Sequence, residues 1–196
     1  MLVLRIKRSV SYLRKFFGSN CIQSPFVYEL ICDVVSNRSA FYAYTDLRDH
    51  LRRLSRGQLK LARLLFRLAN WQQPTEVYLP AGSEAYEIFL RSGCQRTQVR
   101  YYSDIAQISH AGRHTLIIAD CLIPHRGIIG HFLLRGLLGA STILLINIYK
   151  NKDTLRRWRE ICALPQATIA LDLYHCGIVL HAADCARQYH TLTIDH

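Results

Sequence analysis

Arg52, Arg56, Lys60, Arg63 and Arg67 recur at intervals of three and four residues, a spacing that would align five cations along one face of a helix. Cations in a row neutralise phosphates, the sequence-independent part of nucleic-acid binding. The same pattern also describes a plain solvated helix face. Gly57 interrupts it and no RNA-binding motif accompanies it, so both readings stand.

The other reactive side chains do not gather. The seven cysteines (Cys21, Cys32, Cys94, Cys121, Cys162, Cys176 and Cys185) are odd in number and contain no C-x-x-C pair, which fits neither a disulfide framework nor a zinc site. They read as reduced, small apolar residues. Of the nine histidines, His110 and His114 stand at H-x-x-x-H spacing but with no Cys, Asp or Glu within five residues of either, and no two form H-x-H. No metal site is expected.

The 196 residues carry a formal net charge of +11, the compositional feature that stands out and one that points to an anionic partner such as RNA, DNA or a membrane surface. With 50% hydrophobic and only 20% charged residues the chain can bury a core and is not of disordered composition. Residues 1–17 are apolar but broken by Arg5, Lys7, Arg8, Arg14 and Lys15, unlike a signal peptide. No uncharged run reaches the length of a membrane span. A cytoplasmic location is expected, with a membrane-surface role for residues 1–17 as a weaker option.

The elements that would position these residues change character along the chain. Residues 4–17 read as an imperfect amphipathic helix ending at Gly18. Ser24-Pro25 is a helix start, because serine caps free N–H groups and proline at the first helical position loses no hydrogen bond. Further helices are expected over 42–54 and 58–70. After Pro74 short apolar strands (76–79, 98–102, 115–119, 142–148) alternate with helices (83–91, 127–138, 152–163), the pattern of a parallel sheet covered by helices. Strands 167–174 and 177–182 have almost no linker and must form an antiparallel hairpin, turning near 175–176.

Several phrases go beyond secondary structure. Gln23-Ser24-Pro25-Phe26-Val27-Tyr28, Phe41-Tyr42-Ala43-Tyr44, the run from Leu64 to Asn70 with Gln73-Pro74, Trp158-Arg159-Glu160-Ile161, Leu171-Asp172-Leu173 and Cys176-Gly177-Ile178-Val179 resemble a bacterial family of class I S-adenosylmethionine (SAM) methyltransferases. That family carries an N-terminal helical extension with the phrase H-S-P-F-V-Y. The resemblance implies an α/β fold with a Rossmann-like sheet, mostly parallel, ending in an antiparallel hairpin. Residues 1–70 would be the helical extension and 71–196 the methyltransferase-like domain.

It also implies where SAM would sit: across the C-terminal ends of the first strands, on a glycine-rich turn and an acidic ribose ligand. The implied contacts are Ala81, Gly82, Ser83, Ser103, Asp104 and Asp120. Three departures stand against them. The family's first turn resembles E-L-G-x-x-x-G; an ungapped match puts Leu79 at the acid and Ala81 and Ala85 at the glycines, with Gly82 able to serve if the register slips by one. The second strand places Ser103 where the ribose ligand belongs, with Asp104 one residue late. The interval from Ser103 to Thr115 is too short for the family's additional strand and helix, so the sheet should be truncated at one edge. Asp120 matches the family's F-F-D-G position, although an aspartate after a strand is also a common turn cap. Ile146 and Asn147 replace two carboxylates, which removes a cation or proton site.

Together these points lead to a degenerate, pseudoenzyme-like methyltransferase relative acting as a binding or assembly module. The alternatives are an active SAM-dependent methyltransferase on an unknown acceptor and a basic nucleic-acid-binding protein. SAM is the expected cofactor if there is one, with no metal; the partner is left open, an anionic one such as RNA or a protein being the candidates. Catalytic residues, the methyl acceptor and homo-oligomerisation are left open.

Overall fold

The computed structural model describes residues 24–108, 114–122, 141–182 and 185–192. The helices expected at 4–17 and 127–138 lie outside the described residues.

The chain enters through Ser24, whose hydroxyl accepts from Val27 N, and Pro25 opens helix α1 (Pro25–Glu29). The helix continues as a π-turn over Leu30–Val35, burying Leu30, Ile31, Val34 and Val35. The single helix expected over 42–54 is instead two short ones, α2 (Ala43–Asp46) and α3 (Arg48–Arg52). They part at Leu47, whose side chain turns into the core. Helix α4 (Arg56–Gln72) starts with a capping box between Ser55 and Gln58 and ends at Gln73 in the left-handed region.

Among the described residues seven strands follow: β1 (Glu76–Pro80), β2 (Gln98–Tyr102), β3 (Thr115–Asp120), β4 (Ser141–Ile146), β5 (Ile169–Asp172), β6 (Cys176–Leu180) and β7 (Gln188–Thr191). A 3-10 turn (Glu84–Tyr86) and α5 (Glu87–Gly93) connect β1 to β2, and α6 (Lys152–Ala163) precedes β5. The sheet order is β2-β1-β3-β4-β6-β5-β7. β1 to β4 pair in parallel, β6 runs antiparallel between β4 and β5, and β7 adds in parallel to β5. This is a Rossmann-like α/β sheet that closes with an antiparallel hairpin, as the resemblance implies. The hairpin turns at Tyr174-His175, one residue earlier than the sequence suggests.

Strand alternation sorts the side chains into two layers. Val77, Leu79, Leu116, Ile118, Leu171 and Ile178 meet Leu30, Val34, Leu64 and Leu68 on one face. Tyr78, Ile117, Ala119, Ile143 and Val179 meet Trp158 and Ile161 of α6 on the other. The helices before residue 71 and the sheet therefore share one core. Between β2 and β3 the described residues hold only a 3-10 turn, Ile105–Gln107. Among the described residues β2 is accordingly the edge strand, with Arg100 and Tyr101 exposed, and the sheet is truncated there.

Candidate functional site

Because β1 to β4 are parallel, their C-terminal ends lie on one edge of the sheet. The order β2-β1-β3 places the topological switch at β1, the crevice where ligands bind in open α/β sheets. Three segments meet there: the turn after Pro80, the residues after Tyr102, and Asp120.

The turn is closed by Ser83 N donating to Pro80 O at 3.1 Å and anchored to β2 by Ala81 N donating to Tyr102 O at 2.8 Å. Its one residue of positive φ is Gly82, at +88°. The glycine function thus falls on Gly82, not on the Ala81 and Ala85 positions of the ungapped match. A feature the motif reading missed lies two residues on. Glu84 turns its carboxylate back to accept from Gly82 N at 2.9 Å. This hydrogen bond, with a second from the Glu84 backbone, holds the Glu84 carboxyl below the usual carboxylate range. The Gly82 N–H thus already holds an anionic acceptor.

The segment after β2 is likewise turned on itself. Asp104 caps the 3-10 turn through Ala106 N at 2.9 Å, and Gln107 returns to Ser103 N at 2.9 Å. Asp120, at the end of β3, accepts from Leu122 N at 2.8 Å and from Asn147 Nδ2 at 2.9 Å. Burial, and after it the charge of Asp120, raises the Tyr86 and Tyr102 phenols. Cys121 next to it is pushed up to about 12, chiefly by burial and then by Asp120. That thiol stays protonated.

Asn147, after β4, links the two halves of the edge. It adopts φ +61° and donates its own N–H to His175 O at 3.1 Å across the hairpin tip, where Tyr174 has φ +72°. His175 N in turn donates to Leu173 O at 2.9 Å, a γ-turn centred on Tyr174. Two non-glycine residues at positive φ so close together are costly and need strong surroundings to hold them. One anchor is Asp172, fully buried at the end of β5. It accepts from Tyr174 N at 3.1 Å, from Tyr189 Oη at 3.0 Å and from the Tyr149 hydroxyl. The sequence reading did not single out Asn147 as a link or Asp172 as a hub. The signal for the latter was present, since an aspartate in a fully apolar strand must find partners.

The cationic stripe divides. Arg52 belongs to α3 and Arg56, Lys60, Arg63 and Arg67 to α4. Arg52 and Arg56 are exposed and Lys60 and Arg63 half-buried, the Arg63 guanidinium lying 5.6 Å from the centre of the Tyr44 ring. Arg67 is only 5% exposed and donates from Nε to Val34 O at 2.6 Å. It cannot reach a phosphate. The π-turn at Leu30–Val35 covers this part of α4, which corrects the expectation of five solvent-facing cations. Among the described residues, no three His, Cys, Asp or Glu side chains gather as a metal site, and no helix is long and apolar enough to cross a membrane.

No family model and no curated protein matches the sequence. Among solved structures, the chain is similar to a methyltransferase from Geobacter sulfurreducens, with 10% identity, 74% of this chain and 93% of that chain covered, and a TM-score of 0.49. It is also similar to the SAH-bound methyltransferase PaMTH1 from Podospora anserina, with 12% identity, 85% of this chain and 100% of that chain covered, and a TM-score of 0.49.

Proposed function

We propose that this protein is a methyltransferase-like binding or assembly module with little or no catalytic activity. One observation carries the reading: the Gly82 N–H and one carboxylate oxygen each of Asp104 and Asp120 are already engaged by local partners. Gly82 N is taken by Glu84, while Asp104 and Asp120 cap Ala106 N and Leu122 N. A nucleoside cofactor needs those donors and acceptors turned outward, and β1 ends in Leu79-Pro80 where an acid is needed. The residues present do not fit SAM.

A second reading, an active SAM-dependent methyltransferase, is favoured by Gly82. Its φ of +88° keeps the turn able to bring backbone close to a ligand. Methyl transfer depends mainly on proximity and alignment, so the lack of a general base would not prevent it. Ala81, Gly82, Ser83, Ser103, Asp104 and Asp120 are the residues that would then line the cofactor. Calorimetric titration with SAM and S-adenosylhomocysteine separates the two. No saturable heat up to millimolar ligand is expected. Saturable binding that is lost in Asp120→Ala overturns the binding-module reading.

A further inference from the structure

We propose that the exposed cations Arg48, Arg52, Arg53 and Arg56 and the half-buried Lys60, together with the exposed ring of Tyr42 six residues before Arg48, form a binding site for single-stranded nucleic acid. This goes beyond the reading above, because it holds whether or not SAM binds.

The first support is an excess of positive charge. Within residues 42–60 five arginine and lysine side chains meet two carboxylates, Asp46 and Asp49. The Asp49–Arg52 pair is 4.0 Å long, with side chains 82% and 73% exposed. Such a pair neutralises little. Arg56 is the first residue of α4, and the first turn of that helix contains no acid. A cation at the positive end of a helix dipole is unfavourable by itself and becomes favourable when an anion bridges the two. One helical turn, about 5.4 Å, separates Arg56 from Lys60 and sets a row of contacts along a backbone.

The second support is the ring. Tyr42, which precedes α2, is 94% exposed, whereas Phe41 and Tyr44 on either side pack against Phe66. An exposed aromatic in an arginine-rich segment offers a platform on which an unpaired base can stack. A duplex hides its base faces, and an acidic peptide has no use for the ring. A lipid surface is disfavoured by the packing: Leu47, Leu51 and Leu54, the apolar side of α3, turn inward toward Phe66 and Phe89, leaving no apolar stripe to insert. Four of the five cations are arginine, whose forked guanidinium matches phosphate oxygens.

The test is fluorescence anisotropy of the full chain with a labelled oligouridylate of about 12 nucleotides at several salt concentrations. The logarithm of the affinity should fall linearly with the logarithm of salt, with a slope of about −3 if four to five phosphates are neutralised. The double variant Arg52→Ala/Arg56→Ala should reduce that slope by about 1.4. Tyr42→Ala should weaken binding about tenfold and leave the slope unchanged. All three positions are exposed, and circular dichroism checks that the variants fold. Equal or tighter binding of a duplex of the same length, of polyglutamate or of phosphatidylserine vesicles overturns the proposal. So does a Tyr42→Ala variant of unchanged affinity.

Discussion

Arg67→Met tests whether the end of the cationic stripe is structural. In the folded chain the Arg67 guanidinium donates to the last carbonyls of the π-turn, at 2.6 Å to Val34 O and at 3.5 Å to Val35 O. Burial lowers its pKa, partly offset by the Tyr44 phenol. Only the shorter bond has full strength. A hydrogen bond from a charged donor contributes about 1.5–3 kcal/mol, and a cation at a helix C-terminus adds about 0.3–1 kcal/mol. Desolvation of the guanidinium opposes both. Methionine replaces the aliphatic stem without opening a large cavity, so the net loss should be about 2 kcal/mol. For a chain of this size that is a fall of about 4–8 °C in Tm. Urea unfolding should show a lower midpoint with an unchanged slope. An unchanged midpoint, or a loss of oligouridylate affinity in a fully folded variant, would refute the buried capping role.

Two further outcomes test the packing and the crevice. An added Cβ at Gly177 would lie 2.4 Å from Trp158 Cη2, and that indole is almost fully buried. Gly177→Ala should therefore cost about 1–3 kcal/mol by overpacking, read as a lower Tm and altered tryptophan fluorescence; a variant as stable as the parent counts against this packing. Because the Glu84 carboxyl is held low by its hydrogen bonds to backbone N–H groups, it should stay ionised as pH falls through the ordinary glutamate range and protonate only below it. The Gly82 amide resonance should report that midpoint by NMR, and a titration at the ordinary glutamate value would mean that the contact is not made.

Much of the fold was legible because it rests on local patterns. The short apolar runs at β1, β3 and β4, the Ser24-Pro25 cap, and the short interval after Ser103 each reflect chain geometry over a few residues. β7 was not legible: Gln188-Tyr189-His190-Thr191 has neither an apolar run nor alternation, and it is a strand because β5 offers it an edge. The break at Leu47 also escaped the periodicity, because burial of one leucine outweighs the small cost of dividing a short helix.

The candidate site was legible as positions and not as contacts. Residue types after each strand marked Gly82, Asp104 and Asp120, and the sequence by itself determined that few acids and glycines stand at that edge. Only the tertiary structure decided that Gly82 carries the positive φ, that Glu84 occupies its N–H, and that Asp120 holds Asn147. The spacing of Arg56, Lys60, Arg63 and Arg67 likewise determined a common helical stripe. Which of them meet water depended on what packs over that stripe: Tyr44 reaches Arg63 and the π-turn covers Arg67, because burial is set by partners distant in sequence.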